Sequence, residues 1–112
     1  SQFLKEQNPN IQIIGVQPED GAQIPGIRKW PEEYLPEIFT MKNIDTIVNV
    51  SQNNAEKMAR LLAQKEGIFS GASTGGALHV ALEIANKNPD AVIVSIACDR
   101  GDRYLSTGIF PA

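Results

Sequence analysis

One cysteine in 112 residues, Cys98, rules out an intramolecular disulfide and any multi-cysteine metal site. Basic charge is not in surplus either. Ten Lys and Arg against thirteen Asp and Glu leave a net charge of −3, the wrong balance for a dedicated nucleic-acid binder. No apolar run approaches the roughly 20 residues of a membrane span, and the opening Ser1-Gln2-Phe3-Leu4-Lys5 lacks the pattern of a signal peptide. Cytoplasmic residence is the expectation these absences leave. The chain contains no Gly-Lys-Ser/Thr of a Walker loop, no Gly-x-Gly-x-x-Gly fingerprint and no internal repeat. Nothing in it supports an acyl-transfer triad, a two-carboxylate glycosidase site or a metal centre.

What is present amounts to one compact domain. The 42% hydrophobic and 21% charged residues are ordinary for a soluble protein, and 112 residues suffice for one modest core and not for two. The chain opens abruptly: Ser1 to Asn8 reads as the last turns of a helix, broken by Asn8-Pro9-Asn10. An entry in mid-helix with no initiator Met looks like a piece of something longer.

Strand and helix patterns then alternate. Ile11-Gln12-Ile13-Ile14-Gly15-Val16 is β-branched and nearly continuous in apolar character, which suits a strand buried on both faces. Residues 17–36 are rich in Pro, Gly and charge and read as one long connection. Asp45-Thr46-Ile47-Val48-Asn49-Val50 is a second strand. Ser51 caps a helix that runs to about Glu66, with Ala55, Met58, Ala59 and Leu62 on one face, a Glu56–Arg60 pair on the other, and Gly67 as its terminator. Ile68-Phe69 reads as a very short strand or a buried turn. A further helix spans about Thr74 to Asn88, and Ala91-Val92-Ile93-Val94-Ser95-Ile96 has the strongest strand pattern in the chain. The expected fold is α/β: three or four mainly parallel strands flanked by two helices in three layers.

Gly71-Ala72-Ser73-Thr74-Gly75-Gly76-Ala77 carries the most chemical information. Small residues between an apolar run and a helix place free N–H groups and hydroxyls at the positive end of that helix. Such a turn suits an anionic or hydrogen-bond-accepting ligand, and its glycines would let the ligand approach the backbone. The bland alternative is helix capping alone.

Ligands in open α/β sheets sit beyond the carboxyl ends of the strands. Three segments should converge there: the loop after Val16, the 71–76 turn, and Ala97-Cys98-Asp99-Arg100-Gly101-Asp102-Arg103. In the last, either salt bridges simply order the loop, or Cys98 and Asp99 floor a pocket where a carboxylate meets a bound heterocycle. Arg28 and Lys29, close to Gly26 and beside Trp30, either meet an anionic substrate or solubilise the surface. His79, with Glu83 at i+4 and Asn86 at i+7, belongs to a polar, solvated face.

Taken together these segments resemble the C-terminal part of the B-type cysteine synthases, the O-acetylserine sulfhydrylase B family. The resemblance is carried by Gly15-Val16-Gln17-Pro18, Ile24-Pro25-Gly26-Ile27-Arg28-Lys29-Trp30-Pro31 and Tyr34-Leu35-Pro36. It continues through Glu66-Gly67-Ile68-Phe69, the 71–77 turn, Asn88-Pro89-Asp90-Ala91 and the block from Cys98 to Gly108.

The resemblance implies a tryptophan synthase β-like fold, with residues 1–112 a single C-terminal fragment of the cofactor-binding large domain. It implies a homodimeric pyridoxal 5'-phosphate enzyme of cysteine biosynthesis, a transferase that converts O-acetylserine and sulfide, or thiosulfate, to cysteine, or S-sulfocysteine, and acetate. Ser73 would then hydrogen-bond the pyridine nitrogen of the cofactor, a neutral partner that leaves that nitrogen unprotonated. Gly26 and Arg28 would lie on the loop that closes over substrate, with Cys98 and Asp99 near the pyridine edge. Thr74 stands where the family commonly has Ser.

The family's cofactor-bearing lysine lies in a Ser-x-Lys context that none of Lys5, Lys29, Lys42, Lys57, Lys65 and Lys87 matches, and its Gly-Thr-Gly-Gly-Thr phosphate cup has no counterpart here. The 112 residues alone are therefore expected to be inactive and to self-associate through exposed apolar edges. A non-catalytic phosphate-binding module and a purely structural domain are the other readings.

Overall fold

Two parallel strands set the frame of the chain, and a computed structural model describes it over residues 1–34 and 41–111. β1 (Ile14–Pro18) pairs with β2 (Thr46–Val50) in the register Ile14↔Thr46 through Pro18↔Val50. β2 lies within the expected segment. β1 begins three residues later than expected because residues 11–13 are held by a different contact. Asp45 accepts from the Ile13 backbone N–H at 2.7 Å and from Lys5 Nζ at 2.6 Å. That carboxylate ties α1 (Gln2–Gln7) to the entrance of the sheet. Pro18 is tolerated at the strand's end, where the next N–H, from Glu19, takes over by donating to Val50 O.

The α/β class read from the sequence is what the chain folds into. α2 (Gln52–Glu66) begins and ends where its caps require. The Ser51 side chain accepts from the Asn54 N–H at 3.1 Å, and Gly67 closes the helix in the left-handed conformation, φ 68°. α3 (Ala72–Lys87) contacts both strands and packs along α2. It starts two residues before the expected position, so Ser73 and Thr74 lie inside its first turn. The core gathers Ile24, Val50, Ala55, Ala72, Val80 and Ile109 between these elements.

Three expectations are corrected. Residues 91–96 form no strand, and the sheet has two strands among the described residues, not three or four. Val92, Val94 and Ile96 are 94%, 87% and 74% exposed. β-branched alternation specifies a strand only where a neighbouring edge supplies partners, and here none does. The Glu56–Arg60 pair also does not form. Glu56 accepts from Gln52 Nε2 at 3.0 Å, while Arg60 donates to the Ile109 carbonyl at 2.9 Å and anchors the C-terminal segment on α2. Ile68 and Phe69 form neither the short strand nor the buried turn expected of them: they are exposed and lie in irregular backbone. The Phe69 ring packs edge-on against Phe110 at 4.8 Å, and Ser70 bridges to Arg100.

The long connection is ordered by its own turn chemistry. Ile24 and Ile27 bridge across Pro25-Gly26, with the Ile27 N–H donating to Ile24 O at 3.0 Å and Gly26 at φ 90°. Pro then Gly at the central positions is the type II combination. Leu35 and Pro36, the end of the expected connection, lie outside the described residues.

Candidate functional site

The first turn of α3 is built by a glycine that has no room for a side chain. A Cβ at Gly71 would stand 2.5 Å from Asp99 Oδ1 and would also run into the Tyr104 ring. The Gly71 N–H donates to Asp99 Oδ1 at 3.2 Å, while its carbonyl accepts the first helical bond from Gly75. The N–H groups of Ala72, Ser73 and Thr74 are those a helix leaves without an intrahelical acceptor. Ser73 is 6% exposed. Among the described residues nothing donates to or accepts from its hydroxyl.

The glycines of this turn serve packing and not ligand approach, contrary to the sequence expectation. A Cβ at Gly75 would overlap the Ala55 carbonyl and lie 2.7 Å from Ala59 N, so its absence lets α3 cross α2 at backbone distance. One at Gly76 would lie 2.8 Å from Ile27 Cδ1. No pattern within the segment 71–77 distinguishes these roles, because the colliding atoms belong to residues 16 to 49 positions away.

The expected convergence of the three segments is realised at Ser73 and its neighbour Thr74. Gly26 of the long loop sits against the Ser73 side chain, where an added Cβ would be 2.9 Å from its Cβ. On the other side Cys98 donates its backbone N–H to Thr74 Oγ1 at 3.2 Å. Asp99 uses both carboxylate oxygens within the chain, Oδ1 toward Gly71 and Oδ2 as acceptor from the Tyr104 hydroxyl. That hydrogen bond to Asp99 raises the Tyr104 phenol above its ordinary value, helped by desolvation. Arg100 pairs with Asp102 at 3.2 Å on the surface. Part of the 98–103 segment is thus a salt-bridged loop and part is structural support for α3.

Arg28 is exposed and stacks over Trp30 at 5.7 Å, and Lys29 pairs with Asp20 at 3.5 Å. They border an open cleft of about 860 Å³ whose walls include Ile24, Gly26, Gln52, Glu56 and Thr107. Gly26 stands between this cleft and Ser73. Cys98 is exposed, its thiol 3.5 Å from Ile96 O. His79 pairs with Glu83 at 3.1 Å on α3, away from these groups in role if not in helix. Among the described residues no cluster of His, Cys, Asp and Glu could hold a metal, and no helix is long and apolar enough to cross a membrane.

Sequence reading did not single out Tyr104 or the Thr74 hydroxyl as partners of this turn. Tyr104 follows Asp99 by five residues, and only the 3-10 turn Gly101–Thr107 brings its hydroxyl back to that carboxylate.

Comparison with known proteins gives a consistent result. The family model described as "Pyridoxal-phosphate dependent enzyme" matches residues 1–99. Cysteine synthase B of Escherichia coli (strain K12) is 56% identical over 110 residues, covering 98% of this chain and 36% of its own length. Cysteine synthase B of Salmonella typhimurium is 54% identical with the same coverage. The crystal structure of a cysteine synthase (OASS) from Entamoeba histolytica superposes on 99% of this chain and 36% of its own, with a TM-score of 0.88 at 32% identity. The chain thus spans little more than a third of the length of these relatives.

Proposed function

The chain belongs to the pyridoxal-phosphate dependent enzyme family, and from that premise we propose that it forms one wall of the cofactor site of a cysteine synthase. The reaction is the replacement of the acetate of O-acetylserine by sulfide, giving cysteine, or by thiosulfate, giving S-sulfocysteine. The enzyme works as a homodimer in the cytoplasm. Pyridoxal 5'-phosphate, when bound, supplies the electron sink for that replacement.

The observation that carries the reading is the Ser73 hydroxyl in the first turn of α3: the residue is 6% exposed, yet its Oγ makes no hydrogen bond among the described residues and keeps accessible surface through which a ligand can reach it. A hydroxyl is a neutral donor, and an unprotonated pyridine nitrogen is an acceptor that such a donor satisfies. Ser73 fits that nitrogen. Its neutrality also leaves the ring nitrogen unprotonated, which tempers the sink and favours elimination over reactions that need a long-lived carbanion. The positive end of α3 disfavours a cation at the same place, in keeping with a neutral ring nitrogen.

The remaining residues orient and exclude. Gly26 lies against Ser73 and lets the long loop approach without displacing its hydroxyl. Arg28, exposed beside the cleft, faces the anionic sulfur donor. Cys98 and Asp99 border the same turn, the former through its backbone N–H to Thr74. The 112 residues by themselves hold no lysine in the family's cofactor context and do not turn over. A free-standing phosphate-binding module is less well supported, since Gly71, Gly75 and Gly76, which a phosphate cradle would use, are closed by packing.

The test is Ser73→Ala in the full chain that carries these residues. The expected result is a changed absorption and fluorescence of bound pyridoxal phosphate together with slower cysteine formation. A variant with the wild-type spectrum and rate would overturn the assignment. Equilibrium dialysis against pyridoxal phosphate and against sugar phosphates separates the enzyme reading from the phosphate-module reading.

A further inference from the structure

We propose that Asp99 and Tyr104 act as a clamp on the N-terminus of α3, positioning residues that hold the Ser73 hydroxyl in place and do not themselves act on the ligand. The positioning consequence rests on the role given to Ser73 above; the clamp itself rests on geometry alone.

Asp99 is the centre of the device. Its Oδ1 accepts from the Gly71 N–H at 3.2 Å and its Oδ2 from the Tyr104 hydroxyl, so one carboxylate joins the α3 turn to the 3-10 turn Gly101–Thr107. The neighbouring cation does not compete, because Arg100 is turned to Asp102. A carboxylate at this end of a helix also meets the positive pole of the aligned peptide dipoles. It performs, from a distance of 28 residues, what the acidic member of a capping box performs locally, accepting the N–H of the N-cap residue.

The surrounding contacts fix where that turn can sit. Residues 98–101 run antiparallel along 69–74, with the Ser70–Arg100 bridge, Gly101 N–H to Phe69 O at 2.9 Å, and Cys98 N–H to Thr74 Oγ1 at 3.2 Å. Gly71 is seated against Asp99 and the Tyr104 ring with no space for a Cβ. Ser73 lies two residues along the same rigid turn. Any tilt that follows loss of the carboxylate is transmitted to its hydroxyl, and approach from the opposite side is blocked by Gly26. Tyr104 is protonated, and so a donor, at neutral pH as any phenol is, and its bond to Asp99 extends that state to higher pH.

Three variants of the full chain decide the matter: Tyr104→Phe, Asp99→Ala and Asp99→Asn. Amide hydrogen exchange at Gly71 is read without cofactor, and affinity for added pyridoxal phosphate is read by its fluorescence. Tyr104→Phe and Asp99→Ala should each speed Gly71 exchange by about tenfold or more, the scale of losing a hydrogen bond to a charged group. Both should weaken cofactor binding in parallel. Asp99→Asn should recover part of the Gly71 protection, because its amide oxygen still accepts that N–H. Unchanged Gly71 exchange in Tyr104→Phe and Asp99→Ala would overturn the proposal. So would lost cofactor affinity with Gly71 protection intact, since Asp99 would then act on the ligand directly. Should Asp99→Ala fail to fold, Tyr104→Phe, which removes one oxygen, carries the test alone. A wild-type chain that takes up no pyridoxal phosphate would sink the cofactor assignment, while the exchange data would still judge the clamp.

Discussion

Gly26 and Ser73 stand so close that a Cβ at position 26 would lie 2.9 Å from the Ser73 Cβ and 3.0 Å from its Oγ. The long loop and the first turn of α3 are therefore one structural unit. Gly26 also sits at φ 90°, where an L side chain is strained whatever the space. Gly26→Ala is predicted to destabilise the chain by about 1–3 kcal/mol through that backbone conformation, with the contact to Ser73 added to it. A shift of the urea midpoint at constant slope checks this, and an unchanged midpoint would contradict it.

Gly75→Ala tests the helix crossing. The added methyl would press on the Ala55 carbonyl and on Ala59 N, both backbone atoms that cannot rotate away. Overpacking of this kind costs about 1–3 kcal/mol or more. Gly67→Ala is the control: nothing lies within 4 Å of its added Cβ, and only the left-handed φ of 68° is lost, at about 1 kcal/mol. Chemical denaturation of the two variants should rank Gly75→Ala as the more damaging. The reverse order would mean that α2 and α3 do not cross at Gly75.

Acid should loosen the entrance to the sheet. The Ile13 N–H, and then Lys5, hold the Asp45 carboxyl below its ordinary value of 3.8. The unfolded chain therefore takes up this proton first as pH falls. The contribution of Asp45 is complete above pH 3.8 and disappears as pH drops through the lower folded value. Asp45→Asn should flatten the acid limb of the stability curve and leave the slope near neutrality unchanged. Tyr104 works in the opposite direction. Its raised phenol contributes stability below its ordinary 10.0, lost as pH rises through the higher folded value. Tyr104→Phe should flatten the alkaline limb.

Residues 91–96 make a prediction about the isolated 112 residues. Val92, Val94 and Ile96 expose β-branched surface at alternate positions with no paired neighbour. Such a segment templates pairing with another chain, so these residues alone should self-associate and bind hydrophobic dyes. Val94→Lys should lower both, because a charge on an unpaired edge opposes pairing. A wild-type monomer whose sedimentation does not change with concentration, with low dye binding, would contradict the prediction.

How much of this was legible in the sequence depends on the range of the interaction that decides each feature. α2 was readable at both ends because its caps, Ser51 and Gly67, are local. β2 was readable from its own apolar run. Residues 91–96 have a stronger pattern still and pair with nothing among the described residues, because strand propensity describes a surface that fits a sheet and does not supply the neighbour. Ser73, Gly26 and Cys98 were singled out along the chain, and the fold brings them to one turn. The uses of Gly71, Gly75 and Gly76 were not legible. Each is decided by residues elsewhere in the chain: Asp99 and Tyr104, Ala55 and Ala59, Ile27 and Val50. For the same reason the Asp/Arg segment read as either a salt-bridged loop or the floor of a pocket, and neither reading had the Asp99 carboxylate holding the helix start.

The hydroxyl of Ser73 is tested most directly at the atom it is proposed to meet. Full chain loaded with pyridoxal phosphate labelled with ¹⁵N in the ring should give the nitrogen chemical shift of an unprotonated, hydrogen-bonded pyridine. Ser73→Ala should move that shift toward the value of the unbonded ring. A nitrogen that resonates as protonated pyridinium, or one whose shift is the same in wild type and Ser73→Ala, would contradict the account.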